Sequence, residues 1–260
     1  MTRLTLLGTG TSFGVPQIGC ECAVCRSNDP RDRRHRTAAL LETDRATILI
    51  DTPPELRVQL LAANPARIDA VLFTHEHADH VAGIDDLRVF SVRQRSPLPV
   101  FANRATASFL TDSYRYIFDD SVVPIPGTSK PRLSLTTIEP GQPVVIAGVS
   151  VLPLGFSHGS SEVLGFRFGP IAYITDVKAV PPEARTALQG LDVLVLNALW
   201  WRAHPTHQSI PEAIEAARRI GARRTILTHL THETGHAELA AALPPGVEPG
   251  YDGMTLEIPT

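Results

Sequence analysis

The chain has 260 residues, 43% hydrophobic and 20% charged, enough apolar side chain for a large core and the charge fraction of an ordinary globular protein. Its formal net charge of −3 offers no electrostatic basis for binding nucleic acid or a membrane surface, and no apolar run approaches the ~20 residues of a membrane span. Met1-Thr2-Arg3 leads straight into strand-like Leu4–Leu7 without the basic start and apolar stretch of a secretory signal, so the expected location is cytoplasmic. One domain built from two similar halves, about 1–128 and 129–260, is expected.

In chain order, the first strand ends in a glycine-rich turn, Gly8-Thr9-Gly10-Thr11-Ser12. It lacks dinucleotide or P-loop spacing and reads either as a tight connection or as part of a site's edge. All three cysteines then fall within six residues, in Gly19-Cys20-Glu21-Cys22-Ala23-Val24-Cys25. A disulfide here would leave one thiol over. Cys20, Cys22 and Cys25 are better read as three ligands of a structural Zn²⁺, whose tetrahedral set is commonly completed by a histidine. His232 is the expected fourth ligand; His35 and His236 are the other candidates. The basic run Arg31-Asp32-Arg33-Arg34-His35-Arg36 reads as a solvated surface loop or a phosphate contact. Apolar stretches at 37–41 and 46–50 precede Asp51, and Pro54-Glu55 opens a helix bearing Leu56, Leu60 and Leu61.

Ala70-Val71-Leu72-Phe73 is a short buried strand, and where it stops comes Thr74-His75-Glu76-His77-Ala78-Asp79-His80. Four metal-capable side chains crowd this loop. His75 and His77 can present imidazoles to one ion while Asp79 and His80 turn to a second; two-metal hydrolytic sites hold their ions ~3.5–4 Å apart. Helical spacing follows at 84–92 and 105–118, with a strand at 98–101 between them, and Pro124-Ile125-Pro126-Gly127 breaks the pattern. The second half has strands at 133–138, 144–146 and 149–154, a hairpin of 164–168 and 171–175 around Gly169-Pro170, and a buried strand at 192–196. Its helices lie at 181–188, 210–220 and 236–243. The middle one has Ser209 as N-cap, Pro211 in its first turn and Gly221 just past its end. Strands alternating with covering helices indicate a layered α/β domain.

The His-x-His-x-Asp-His motif resembles that of the metallo-β-lactamase superfamily, which implies an α/β (α+β) four-layer αββα sandwich with a dinuclear metal site on one edge. It also implies further ligands at later strand ends, and His158, Asp176 and His229 stand there in order. One metal is assigned to His75, His77 and His158, the other to Asp79, His80 and His229, with Asp176 bridging. Asp51, at a strand end near this edge, is placed to hydrogen-bond a ligand histidine. Nitrogen and oxygen ligands without thiolates suit Mn²⁺ or Zn²⁺.

Within the superfamily, the Cys-x-Cys-x-x-Cys segment, Leu227-Thr228-His229-Leu230-Thr231-His232 and Tyr251-Asp252-Gly253-Met254 resemble the phosphoribosyl 1,2-cyclic phosphate phosphodiesterases nearly end to end. The pyrroloquinoline quinone biosynthesis protein B group is a more distant likeness. The first resemblance implies a homodimer that hydrolyses a small cyclic phosphodiester through a hydroxide held between two metals. His207 matches the family's catalytic histidine by position and is read as general acid, with His204 as the alternative; Asp79 and Asp176 complete the catalytic set. Trp200 and Trp201 depart from the family pattern and read as a stacking surface for substrate or as lid packing. Hydrolysis of another ester, such as a lactone or thioester, and a non-hydrolytic role in cofactor biosynthesis are the alternative functions.

Overall fold

Side chains alternate along a strand, and here the alternation assigns each face of each sheet to a different layer. The computed structural model describes residues 2–258. One sheet takes β1 (Thr2–Gly8), β2 (Ala38–Glu42), β3 (Thr47–Ile50), β4 (Ala70–Leu72), β5 (Leu98–Ala102) and β6 (Leu133–Thr137) in sequence order, with β14 (Thr255–Ile258) beside β1. The other takes β7 (Val144–Ile146), β8 (Val149–His158), β9 (Ser161–Phe168), β10 (Ile171–Ile174), β11 (Val193–Asn197), β12 (Arg224–Thr228) and β13 (Val247–Pro249). Both sheets have the same plan. From β14 through β3, and from β7 through β10, neighbours are antiparallel; from β3 to β6, and from β10 to β13, they are parallel.

Ile48, Ile50 and Leu72 face inward and join Leu164, Phe166, Tyr173 and Val195 in the core between the sheets. Their neighbours Leu49 and Val71 face outward. There they meet Leu56 of α1 (Leu56–Ala63), the turn of α2 (Ala78–Val81), Phe90 of α3 (Arg88–Gln94), Leu110 of α4 (Arg104–Ser113) and Ile117 of α5 (Arg115–Phe118). On the opposite side Leu194, Leu196 and Leu227 pack against Ala184 of α6 (Pro182–Ala187), Ile210 and Ala213 of α7 (Ile210–Ile220) and Leu239 of α8 (His236–Ala242). The result is a four-layer αββα sandwich. Its central parallel strands β4 and β11 are buried on both faces and so read as continuous apolar runs, as Val193–Leu196 does.

α7 begins as the sequence signals require: Ser209 and Glu212 form a reciprocal capping box, and Gly221 closes the helix with φ 74°, where a side chain would be strained. A cap of this kind contributes ~1 kcal/mol and fixes where the chain carrying His207 enters the helix.

Several features differ from the sequence reading, among them the helix expected at 84–92, which is a 3-10 turn at Ile84–Leu87 followed by α3. The sheets change over within 138–143, later than a 128/129 division, because β6 pairs with β5 after the proline-rich stretch. The expected helix at 105–118 breaks at Tyr114, whose φ of −112° ends α4 before α5 begins. β13 and β14 were not expected: β13 is three residues long and ends in proline on a sheet edge, and β14 takes its place through pairing with β1. Finally, Asp79 and His80 lie on the single turn α2 rather than on a loop, a helix too short to show periodicity.

Candidate metal centre

Strand ends place every side chain of this centre. Asp51 follows β3, His75 and His77 follow β4, Asp176 follows β10, His229 follows β12, and His158 is the last residue of β8. Asp51, Asp176 and His229 have φ of 64°, 58° and 58°, and they are three of the six non-glycine residues with positive φ among the described residues. Such a conformation costs ~1–3 kcal/mol each and persists where surrounding contacts dictate it.

The ligand-type atoms of His75, His77 and His158 lie within 4.8 Å of one another, as do those of Asp79, His80, Asp176 and His229. His158, Asp176 and His207 satisfy the same limit, so Asp176 stands beside both halves of the centre. The structure thus brings together the seven residues singled out in the sequence.

Hydrogen bonds behind the rings orient them. Asp51 accepts from the Thr74 backbone N–H and hydroxyl, both at 2.8 Å, and lies 2.8 Å from His80 Nδ1. The Thr74 hydroxyl is 3.0 Å from His75 Nδ1, and His158 Nδ1 donates to the Thr206 carbonyl at 3.2 Å. With their Nδ1 atoms engaged, His75, His80 and His158 turn Nε2 to the centre, the second-layer arrangement typical of metal-bound imidazoles.

The electrostatics favour added positive charge. Burial opposes ionisation of Asp176, but His229 and His80 overcome it and hold the carboxyl well below its usual range. Burial likewise opposes charge on His229, and the Asp176 and Asp79 carboxylates reverse the effect and lift its pKa to about 9. His75 is pushed down by burial and by His80, which keeps it neutral, as a ligand must be. Nε2 of His80 and both ring nitrogens of His229 are buried without a hydrogen-bond partner. Although His229 Nε2 is 3.1 Å from Asp176 Oδ2, the two make no hydrogen bond. Orphaned imidazole nitrogens beside carboxylates are a donor set that fits divalent cations.

A second cluster lies at the surface. Cys20 Sγ and Cys22 Sγ are each 3.3 Å from His232 Nδ1, and the ligand atoms of Cys20, Cys22, Cys25 and His232 all lie within 4.8 Å of one another. The Cys25 backbone N–H, followed by His232, lowers the Cys22 thiol to about 6, whereas burial pushes Cys25 up to about 11. Of the other candidates, His35 pairs with Asp252 at 2.8 Å and His236 packs edge-on against Tyr251. The basic run is not a solvated loop throughout. Arg34 is buried and donates to the Thr231 and Thr234 carbonyls, bracing the segment that carries His232, while Arg31 pairs with Asp29 and Arg36 with Glu55. Charge density in sequence does not reveal this, because the carbonyl partners lie some 200 positions away.

His207 extends Nε2 to within 3.2 Å of Asp176 Oδ2, and His204 stands behind it with the rings 5.1 Å apart. Trp200 lies under the Arg202 guanidinium, 3.7 Å from its ring centre, and edge-on to His204. Trp201 donates to Thr234 at 3.1 Å and is exposed. Sequence reasoning missed Thr74 and Thr206, which orient the histidines, and Asn197, whose side-chain carbonyl accepts from Val177 N–H at 2.9 Å and fixes the turn after Asp176. No spacing rule marks these residues; adjacency to a ligand was the available signal for Thr74 alone.

An αββα sandwich with a histidine–aspartate centre at the strand ends is the architecture of a metallo-hydrolase. The chain belongs to the beta-lactamase superfamily, whose domain model matches residues 46–230. A solved structure described as a new diphosphatase from the PhnP family superposes with a TM-score of 0.90 at 37% identity, covering 98% of this chain and 96% of that one. An octanoyltransferase of Porphyromonas gingivalis is 42% identical over 97% of this chain, which spans only 51% of that protein's length. Coenzyme PQQ synthesis protein B of Rhodopseudomonas palustris is 30% identical over 78% of this chain and 75% of its own. Among the described residues no helix is long and apolar enough to cross a membrane.

Proposed function

We propose that this protein is a metal-dependent phosphodiesterase acting on a small cyclic phosphate ester such as phosphoribosyl 1,2-cyclic phosphate. One observation carries the reading: seven ligand-type side chains converge at one sheet edge, with His207 Nε2 held 3.2 Å from Asp176 Oδ2. The likeness to a PhnP-family diphosphatase supports phosphorus as the reacting centre.

His75, His77 and His158 would hold one cation and Asp79, His80 and His229 the other, with Asp176 between them. Mn²⁺ or Zn²⁺, when bound, supplies Lewis acidity that lowers the pKa of water and offsets phosphate charge. Asp51 and Thr74 keep the ligand rings oriented. His207 holds a proton at Nε2 for the departing oxygen, a contribution of ~10²–10⁴-fold for a positioned acid. Cys20, Cys22, Cys25 and His232 would hold a structural Zn²⁺ that ties the 20–25 segment to the end of the second half.

The net charge of −3 suits a small-molecule substrate better than nucleic acid, and a cytoplasmic homodimer of single-domain subunits completes the proposal. A monomeric mass in solution would remove the dimer.

The test is steady-state turnover by protein reconstituted with Mn²⁺ or Zn²⁺ on 5-phosphoribosyl 1,2-cyclic phosphate, an aryl phosphodiester, a lactone and a thioester. Metal-dependent turnover of the cyclic phosphate, lost in Asp176→Ala, is expected. Turnover confined to the carbonyl esters would favour acyl-ester hydrolysis, a second reading supported by the octanoyltransferase name of the 42% identical relative. Metal binding without any turnover would favour a role in cofactor synthesis, as the name of the R. palustris relative suggests.

A further inference from the structure

Thr206 touches three histidines of the site through three different atoms. Its carbonyl oxygen accepts from His158 Nδ1 at 3.2 Å. Its backbone N–H donates to His204 Nδ1 at 3.3 Å. Its hydroxyl lies 3.0 Å from His207 Nδ1 and 3.3 Å from His204 Nδ1. A carbonyl can only accept and an amide N–H can only donate, so His158 carries its hydrogen on Nδ1 and His204 presents a lone pair there. His207 faces the Asp176 carboxylate through Nε2 at 3.2 Å, and a carboxylate oxygen accepts. Neutral His207 therefore carries its hydrogen on Nε2 and presents a lone pair at Nδ1. The lone pairs of His204 and His207 would then meet at 3.3 Å, and the Thr206 hydroxyl hydrogen is the group that lies against both.

We infer that Thr206 is a positioning residue that fixes which nitrogen of His158, His204 and His207 bears a hydrogen, and that its hydroxyl keeps the Nε2 hydrogen of His207 directed at the reacting centre. The inference about turnover rests on the phosphodiesterase reading; the inference about the rings does not. Without the hydroxyl, the facing nitrogens are relieved when His207 moves its hydrogen to Nδ1 and donates to His204. That change turns a lone pair towards Asp176 and leaves no donor for the leaving oxygen. The Thr206 methyl lies against the backbone at Gly159, where an added Cβ would come within 3.2 Å of it, so valine keeps that contact and puts a methyl, which cannot hydrogen-bond, where the hydroxyl stood.

The experiment compares wild type, Thr206→Val and Thr206→Ser as zinc-reconstituted proteins, by metal content, by kcat and KM on the cyclic phosphodiester, and by long-range ¹H–¹⁵N spectra of the histidine rings. Thr206→Val should keep its zinc and hold KM within ~2-fold. It should lose ~10–10²-fold in kcat, part of the contribution of a positioned acid, and show His207 with its hydrogen on Nδ1. Thr206→Ser should restore both kcat and the Nε2–H form. Wild-type kcat in Thr206→Val with an unchanged His207 spectrum would overturn the inference, and so would a serine variant as impaired as the valine one. If the wild type itself hydrolyses no phosphodiester, the functional reading falls while the ring spectra still decide the role of Thr206.

Discussion

The cysteine cluster draws three ligands from residues 20–25, a segment with neither helix nor strand, and the fourth from His232, 207 positions beyond Cys25. The histidine–aspartate cluster takes its ligands from the ends of β4, β8, β10 and β12 and from the turn of α2. In the first, the fold has little regular structure with which to hold the thiols, so an ion bound there would supply much of the order. In the second, sheets and buried hydrogen bonds hold the rings before any ion arrives, which is what pre-organised catalysis requires. The difference teaches how to tell a metal that builds structure from one that serves chemistry: by what holds the ligands in place when the ion is removed.

Substitutions should separate the two regions. The largest effect is expected at Asp176, which lies beside both halves of the centre: Asp176→Ala should lower turnover by ~10³-fold with the far-ultraviolet circular dichroism of the wild type. A variant that kept its activity would remove Asp176 from the centre. Next comes His207→Asn, expected to lose ~10²-fold in kcat with full metal occupancy by elemental analysis; equal loss from His204 alone would transfer the acid role to that ring.

Asp51→Ala removes the acceptor of His80 Nδ1 and of two Thr74 donors. It should weaken divalent-cation affinity ~10–100-fold in a competition titration, and an unchanged affinity would show that the strand ends suffice without it. At the cysteine cluster the balance reverses. Cys22→Ser should lower Tm by ~5–10 °C, at ~2–4 °C per kcal/mol for a chain of this size, and reduce turnover less than Asp176→Ala does. An unchanged Tm with no zinc lost would deny the cluster its structural role.

The smallest effect is expected at His35, which belongs to neither cluster. Its hydrogen bond to Asp252 raises its pKa against the opposing effect of burial. The stabilisation is therefore fully present below its unfolded value of 6.5 and is lost as pH rises through the raised folded value. Wild type should exceed His35→Gln in Tm by more at about pH 5.5 than at about pH 9. A gap that widened with pH would reverse the sign of the linkage.

Much of this was legible in the residues themselves. His75, His77, Asp79 and His80 share one short segment after an apolar strand, and Cys20, Cys22 and Cys25 share another, so local spacing alone marks both clusters. The α7 boundaries were legible too, because Ser209, Pro211 and Gly221 act through local backbone geometry. β13 and β14 were not, since such short edge strands exist by virtue of the neighbour they pair with.

What the sequence by itself determined is the inventory: ligand types, the alternation that sorts side chains into layers, and the capped helix that follows His207. Tertiary structure decided the pairings. It buried Arg34 against carbonyls of the His232 segment, chose His232 over His35 and His236, and stood Thr206 among three histidines. Each of those outcomes depends on two distant segments arriving at the same few ångströms, and hydrogen-bond geometry at that range is set by the sheets rather than by any local pattern.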